Sequence, residues 1–470
     1  MLKIYNTLTK QKEDFIPREG KKVNMFVCGP TVYDYIHIGN ARTFVFFDVV
    51  AKYLKHRSYK VNYIQNITDI DNKIIEQAAK EGVDPLEYAK KYTDIFKKDM
   101  ESLSVTSPKF KNATDHIPEV IKQVQVLLDK GHAYAIKNDG IYFDLSTFSD
   151  YGKLSGRTAS MADDAVSRID DSDKKRNRGD FALWKFSTEF LGGLKHRQET
   201  TPSQSGDPSW PAPFGNGRPG WHIEDTAITE KYFGPQYDLH GGGQDLIFPH
   251  HEAEIAQQES ASGKEPFVKY WMHVGFLVNK SEKMSKSKGN FATLHELLKK
   301  YSPEALRFYL LSAYYRSPLD YNDKLLQQSE AAIQRISELN EKLELAKGEN
   351  NYNLDLEFDR TFQEAMDDDF NTPKALAVIF GVIRIANEHI TTLSEESRQN
   401  IKKILLEVNT IFGIIPSQQK IPKEVSELVA QREKLREEKN YNESDKIRAQ
   451  IKDLGWEIED TLYGPLMVKS

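Results

Sequence analysis

The sequence predicts an α/β fold: a parallel-sheet domain carrying an insertion, then an α-helical bundle, then a small C-terminal module. Strand-like and helix-like stretches alternate through the first third of the 470 residues. After residue 301 glycine becomes scarce and apolar residues recur at helical spacing. Between these regions, from about 131 to 205, the texture changes to mixed charge and then to Ser, Pro, Gly and Gln. At roughly 150 residues per domain this length corresponds to about three domains.

Residues 23–28 form a short apolar run that ends in the breaker Gly29-Pro30, as a strand does. Residues 43–54 carry apolar positions at helical spacing, and 61–67 alternate like a strand. Helices are expected over 71–79, 86–103 and 118–130. This strand–helix–strand order implies a βαβ unit and a parallel sheet. Residues 134–145 read as a hairpin turning at 138–140. Residues 163–178 are dense in both charge signs, and 187–213 read as an exposed loop. An α/β texture returns over 210–276, followed by a polar loop at 284–290. Helices over 303–315, 324–345, 356–366, 373–389 and 396–412 predict an antiparallel bundle. A linker at 414–422 leads to two helical stretches split at Lys439-Asn440-Tyr441-Asn442, and to a strand at 456–462. The expected divisions are 1–130, 131–205 as an insertion, 206–300, 301–413 and 414–470.

Composition narrows the function classes. With 39% hydrophobic and 11% aromatic residues the chain has enough apolar side chain for a core, which excludes wholesale disorder. No apolar run approaches the roughly 18 residues of a membrane span, and the start lacks a signal-peptide stretch. No membrane partner is expected. The one cysteine, Cys28, forms no intrachain disulfide and fits a reducing cytoplasm. A net charge of −6 argues against nucleic-acid binding over the whole surface, and leaves room for a local basic track.

Two short motifs carry chemistry. Cys28-Gly29-Pro30-Thr31 precedes His37-Ile38-Gly39-Asn40, where a strand gives way to a helix. A helix N-terminus offers unpaired N–H groups to phosphate, Gly39 lets a planar base approach the backbone, and His37 is placed to donate to phosphate oxygens. An ordinary strand–helix corner has the same pattern. Lys283-Met284-Ser285-Lys286-Ser287 places two lysines in a small-residue loop, suited to a triphosphate or simply solvated.

Together the two motifs resemble the class I aminoacyl-tRNA synthetases. Further segments resemble the cysteinyl-tRNA synthetase family: Asn66-Ile67-Thr68-Asp69, Gly220-Trp221-His222-Ile223-Glu224, His240-Gly241-Gly242-Gly243-Gln244-Asp245, Pro249-His250-His251-Glu252, Asp367-Asp368-Asp369-Phe370-Asn371-Thr372-Pro373 and Glu459-Asp460-Thr461. The resemblance runs from the first residues to the end of the chain. It implies a Rossmann-type catalytic domain, a helical bundle binding the tRNA stem and anticodon, and a C-terminal anticodon-binding module. It implies ATP-dependent activation of L-cysteine and transfer to the 3′ end of tRNA(Cys), with Mg²⁺ accompanying ATP, and a monomer.

Residue by residue, the resemblance implies a Zn²⁺ site. The family ligands, two cysteines, a histidine and a glutamate, fall on Cys28, position 225, His250 and Glu254. Position 225 is Asp225, which departs from the family. Asp225 keeps the charge of a thiolate but replaces soft sulfur with oxygen, so a harder and less tightly held metal is expected. An empty site and a different metal remain open. His250 and Glu254, four residues apart, would share a helix face. The catalytic residues carried over are His37, Asn40, Lys283 and Lys286. Gly39, Gly241, Gly243, Asp245 and Lys286 would hold ATP. Thr68, Trp221, His222 and His240 would line the amino-acid pocket. Trp456 either stacks on an anticodon base or packs in the module. Two other functions remain: a relative that joins activated cysteine to a small amine, and a tRNA-binding paralogue without catalysis.

Overall fold

A computed structural model describes residues 1–157, 172–187, 207–279, 282–283, 292–345, 348–352, 354–416, 421–461 and 464–469. The chain divides into two compact units. The first comprises Met1–Pro303, Leu310–Asn322 and Met366–Thr372, and the second Glu304–Tyr309, Asp323–Ala365 and Pro373–Ser470.

The first unit opens with a hairpin, β1 (Lys3–Asn6) and β2 (Gln11–Asp14). Then follow β3 (Lys22–Val27), α1 (Ile38–His56), β4 (Lys60–Ile67), α2 (Asn72–Glu81), α3 (Pro85–Ser102), β5 (Lys109–Asn112) and α4 (Ile117–Asp129). The inserted region contributes β6 (Ala133–Ile136), β7 (Gly140–Phe143), β8 (Phe181–Phe186) and β9 (Gly217–Pro219). The chain returns through α5 (Ile223–Phe233), β10 (Tyr237–Gly243), α6 (Glu252–Ser262), β11 (Val268–Val274), β12 (Leu277–Asn279), β13 (Glu282–Lys283) and α7 (Leu294–Leu297).

Five strands form a parallel sheet in the order β11-β10-β3-β4-β5. The chain runs outward from β3 to β5, then restarts on the other side of β3 with β10. The order therefore reverses between β3 and β10, and in doubly wound sheets ligands bind outside the carboxyl ends at that point. Cys28 directly follows β3, its N–H donating to Gly241 O of β10 at 3.0 Å. The sheet is buried as parallel sheets are: Val23, Met25, Phe26 and Val27 are all covered. α1 is covered nearly all round, including Phe44, Phe47 and Val50, so it reads as a core helix rather than an amphipathic one.

The expected hairpin at 134–145 is present as β6–β7, with Asn138 in the left-handed region at φ 62°. It belongs to an antiparallel sheet ordered β6-β7-β8-β9, which closes at Pro219, beyond the expected insertion boundary. Most of the loop at 187–213 lies outside the described residues.

After α8 (Pro303–Leu311) and β14 (Leu319–Asp320), the second unit is built on α9 (Asp323–Leu345), α10 (Asp355–Asp367), α11 (Thr372–Glu388) and α12 (Glu395–Phe412). On α12 the buried positions Ile401, Ile404, Leu405, Val408 and Ile411 follow helical periodicity. Gly413 ends this helix at φ 61°, and buried Arg307 donates to Phe412 O at 2.7 Å, placing a cation at the helix C-terminus. The last elements are α13 (Lys423–Glu437), α14 (Tyr441–Asp453) and the antiparallel pair β15 (Trp456–Thr461) and β16 (Gly464–Lys469). Trp456 is 7% exposed and packs with Val425, Ile451, Ile458 and Met467. It serves the core of this module. No helix among the described residues is long and apolar enough to cross a membrane.

Candidate active site and metal centre

A cavity of about 310 Å³ opens at the strand switch, lined among others by Cys28, His37, Asn40, Trp221, Gly243 and Asp245. The strand–helix corner forms its first wall. His37 caps α1: its Nδ1 accepts from Asn40 N at 3.2 Å. At Gly39 a Cβ would lie 2.8 Å from the His37 ring, so any side chain there would displace the imidazole. The close approach at Gly39 is thus made by the chain's own imidazole. Ile38 N donates to Ala292 O at 3.1 Å and Leu294 N to Ile36 O at 2.9 Å. The segment that follows the lysine-rich loop is therefore stitched to the His37 corner. Lys283 lies on β13, and Lys286 lies outside the described residues.

Gly241 and Gly243 lie on β10, and a Cβ at Gly241 would run into the Phe47 ring at 2.2 Å. Asp245 follows that strand, exposed, on the cavity wall. Thr68 follows β4 and is buried. It donates to Glu224 Oε2 at 3.0 Å and accepts from Asn66 Nδ2 at 3.3 Å, while Asn66 Oδ1 accepts from Gly29 N at 2.6 Å.

The four residues expected to hold a metal meet in one buried cluster. Cys28 arrives from β3, Asp225 from α5, and Glu254 from α6. His250 comes from an irregular turn, Ile247–His251, that precedes α6. Cys28 Sγ is 3.3 Å from Asp225 Oδ2 and 3.7 Å from Glu254 Oε1. His250 Nε2 is 3.1 Å from Asp225 Oδ2 and 2.9 Å from Glu254 Oε1. A tetrahedral ion with bonds of about 2.0–2.3 Å separates its donors by roughly 3.3–3.7 Å, so the set is close to that spacing. Asp225 Oδ1 and Glu254 Oε2 are buried without a hydrogen-bond partner among the described residues. Burial, with Glu254 and Asp225 alongside, pushes the Cys28 thiol well above its ordinary range. Burial raises the Glu254 carboxyl as well. The Cys28 thiol and the Glu254 carboxyl packed this way resist ionisation unless a cation joins them. Burial alone would lower His250, yet Glu254 and Asp225 hold it up, at about 9. The donors therefore fit a divalent cation with an S, O, N, O shell.

His222 Nδ1 is 2.8 Å from His250 Nδ1, and Trp221 stacks on His250 at 4.4 Å between ring centroids. Both orient the imidazole that presents Nε2 to the cluster. His240 Nε2 lies 3.3 Å from Cys28 Sγ. His240 was expected along the amino-acid pocket; here it is wholly buried against the sulfur. His251 Nε2 also lies 3.1 Å from that sulfur, and His273 stands behind it. Neither was singled out from the sequence, although the paired histidines at 250 and 251 carried the signal for the first.

Two family models match this chain: the tRNA synthetases class I (C) catalytic domain over residues 14–331, and the DALR domain over residues 361–416. It is 44% identical to the cysteine–tRNA ligase of Carboxydothermus hydrogenoformans over 98% of this chain and 99% of that one. It is 42% identical to the cysteine–tRNA ligase of Thermococcus onnurineus over 99% and 98%. In fold it is similar to Mycobacterium tuberculosis methionyl-tRNA synthetase, with a TM-score of 0.60, 15% identity, and 84% and 92% of the two chains covered. A catalytic-domain match across two thirds of the sequence, with curated relatives aligned end to end, places this chain in the cysteine–tRNA ligase family of class I aminoacyl-tRNA synthetases.

Proposed function

We propose that the 310 Å³ cavity at the strand switch is where this ligase activates L-cysteine with ATP and then charges tRNA(Cys). The observation that carries this reading is the juxtaposition of a buried metal-donor cluster at Cys28 with the capped start of α1 at His37. A metal held by the first would take a thiolate, and the second suits phosphate.

The cysteine carboxylate oxygen attacks the α-phosphorus of ATP, forming the mixed anhydride as the bond to pyrophosphate breaks. A terminal ribose hydroxyl of the tRNA then attacks the carbonyl, forming the ester and releasing AMP. Neither step needs a covalent bond to the enzyme, so positioning and charge stabilisation supply the rate. His37 and Asn40 serve the phosphates, with Lys283 and Lys286 neutralising charge on the departing pyrophosphate. Asp245 accepts from a ribose hydroxyl beside Gly241 and Gly243, and Mg²⁺ accompanies ATP. Thr68, Trp221 and His222 shape the amino-acid end of the site.

Cys28, Asp225, His250 and Glu254 would hold Zn²⁺, which supplies a Lewis-acidic partner for the substrate thiolate. Serine differs from cysteine by one atom, a contrast that shape alone rejects poorly. The helices over 301–413 and the module over 414–470 take the tRNA stem and anticodon, and the enzyme works in the cytoplasm. ATP–pyrophosphate exchange tests the reading: it should require cysteine and be lost on removal of the metal with a chelator.

A further inference from the structure

Two chains of hydrogen-bonding groups converge on the Cys28 sulfur. In the first, Thr7 Oγ1 lies 2.8 Å from His273 Nδ1, and His273 Nε2 lies 2.8 Å from His251 Nδ1. His251 Nε2 then reaches Cys28 Sγ at 3.1 Å. In the second, Tyr237 Oη lies 2.6 Å from His240 Nδ1, and His240 Nε2 lies 3.3 Å from the same sulfur. Each of these imidazoles is buried. A neutral imidazole has one N–H and one bare nitrogen, so fixing one contact fixes every contact along its chain.

Two arrangements compete. Cys28, His240, His251 and Glu254 also lie close enough together to form a second set of four metal donors. That set needs bare Nε2 atoms on both histidines. The alternative is that both carry Nε2–H and donate to the sulfur. The geometry favours donation. His240 turns Nε2 toward Cys28 but Nδ1 toward Glu254, at 3.5 Å from Oε2. Its two nitrogens are thus divided between those residues, whereas His250 Nε2 alone reaches Asp225 and Glu254, at 3.1 and 2.9 Å. Cys28, Asp225, His250 and Glu254 need no such division.

We propose that His240 and His251 are positioning residues that donate Nε2–H to the Cys28 thiolate, with Tyr237 and Thr7 as the terminal hydroxyl donors that set their tautomers. This rests on the metal reading above. Thr7 O–H donates to His273, His273 Nε2–H to His251, and His251 Nε2–H to sulfur; Tyr237 O–H donates to His240, and His240 Nε2–H to sulfur. The ligand set brings three negative charges to one dication. Two N–H donors on the sulfur offset part of that excess and leave the ion able to accept a further thiolate from substrate. Because Asp225 replaces sulfur with oxygen, Cys28 is the one sulfur ligand through which this adjustment acts.

The test uses full-length protein loaded with Zn²⁺, labelled with ¹⁵N in histidine, with metal content measured on the same sample. Long-range ¹H–¹⁵N correlation separates protonated from bare ring nitrogens. Nε2 protonated on His240, His251 and His273, with Nε2 of His250 bare, is the expected result. A bare Nε2 on His240 or His251 in a protein holding one zinc overturns the proposal and leaves the metal reading standing. A protein that holds no zinc overturns both. As a second measurement, His251→Leu should weaken zinc about 10–100-fold in chelator competition, and His251→Gln, which keeps an N–H donor, should recover most of that loss. Equal losses in the two variants would also contradict the proposal.

Discussion

Asp225 is the residue on which the proposed metal site turns. It sits 1% exposed in a cluster with Cys28, His250 and Glu254, with one carboxylate oxygen that has no hydrogen-bond partner among the described residues. Asp225→Ala should abolish bound metal and raise KM for cysteine at least 10-fold, read by metal analysis and pyrophosphate exchange on one preparation. Asp225→Cys, which restores sulfur, should tighten Zn²⁺. His250 gives a pH signature. In the metal-free protein its raised pKa, about 9, means that a proton occupies the metal's place well above pH 6.5. Metal uptake must expel that proton and the one that the buried Cys28 thiol retains, so affinity should keep rising with pH through 9 rather than levelling near 6.5. Chelator competition between pH 6 and 9.5 measures this, and a plateau at pH 7 would contradict it. The motif order made Cys28, Asp225, His250 and Glu254 legible in the sequence. His251 was not, because neighbours on a regular helix point about 100° apart. The irregular turn at Ile247–His251 turns both rings inward. His273 and Thr7 come from β11 and from the residue after β1, which only the sheet brings together.

Among the elements, α1 joins the His37 corner to the segment that leads into the lysine-rich loop. Its Arg42 is 1% exposed and donates to Gly275 O, Phe276 O, Tyr314 O and Ser317 O at 2.8–3.2 Å. Those carbonyls bracket the start of β12, and Gly275 and Phe276 line the cavity. Arg42→Met removes the donor that these carbonyls share, including the one on buried Gly275 O, and should cost about 3 kcal/mol in urea unfolding. It should raise KM for ATP more than KM for cysteine; equal effects on both would contradict this role. Strands β3 and β4 were legible as apolar runs, and α9 to α12 from helical periodicity. The acidic run at 367–369 was not. The sequence grouped it with the bundle, whereas Met366–Thr372 belongs to the first unit. There Asp369 accepts from Tyr5 N at 2.7 Å and Tyr315 Oη at 3.0 Å, and from Tyr314 Oη. Such partners lie tens to hundreds of residues away, beyond any local pattern.

At the scale of the molecule, the proposed function assigns activation to the first unit and tRNA recognition to the second. The last module has its own apolar core and a buried Arg432 paired with Asp460 at 2.8 Å through both nitrogens. Deleting residues 421–470 should leave cysteine-dependent pyrophosphate exchange within about twofold and reduce tRNA charging by more than 100-fold. Loss of both would show that the catalytic unit depends on the module. A ligase that used a small amine as acceptor would lose neither. On the proposed function, a metal cluster with one sulfur ligand still selects a thiol substrate, and pyrophosphate exchange tests this directly. Pyrophosphate exchange is run with cysteine and with serine on protein of known metal content. The structure predicts strong exchange with cysteine, none above background with serine, and one divalent ion per chain. Metal-loaded protein that exchanges with both amino acids alike, or with neither, would contradict it.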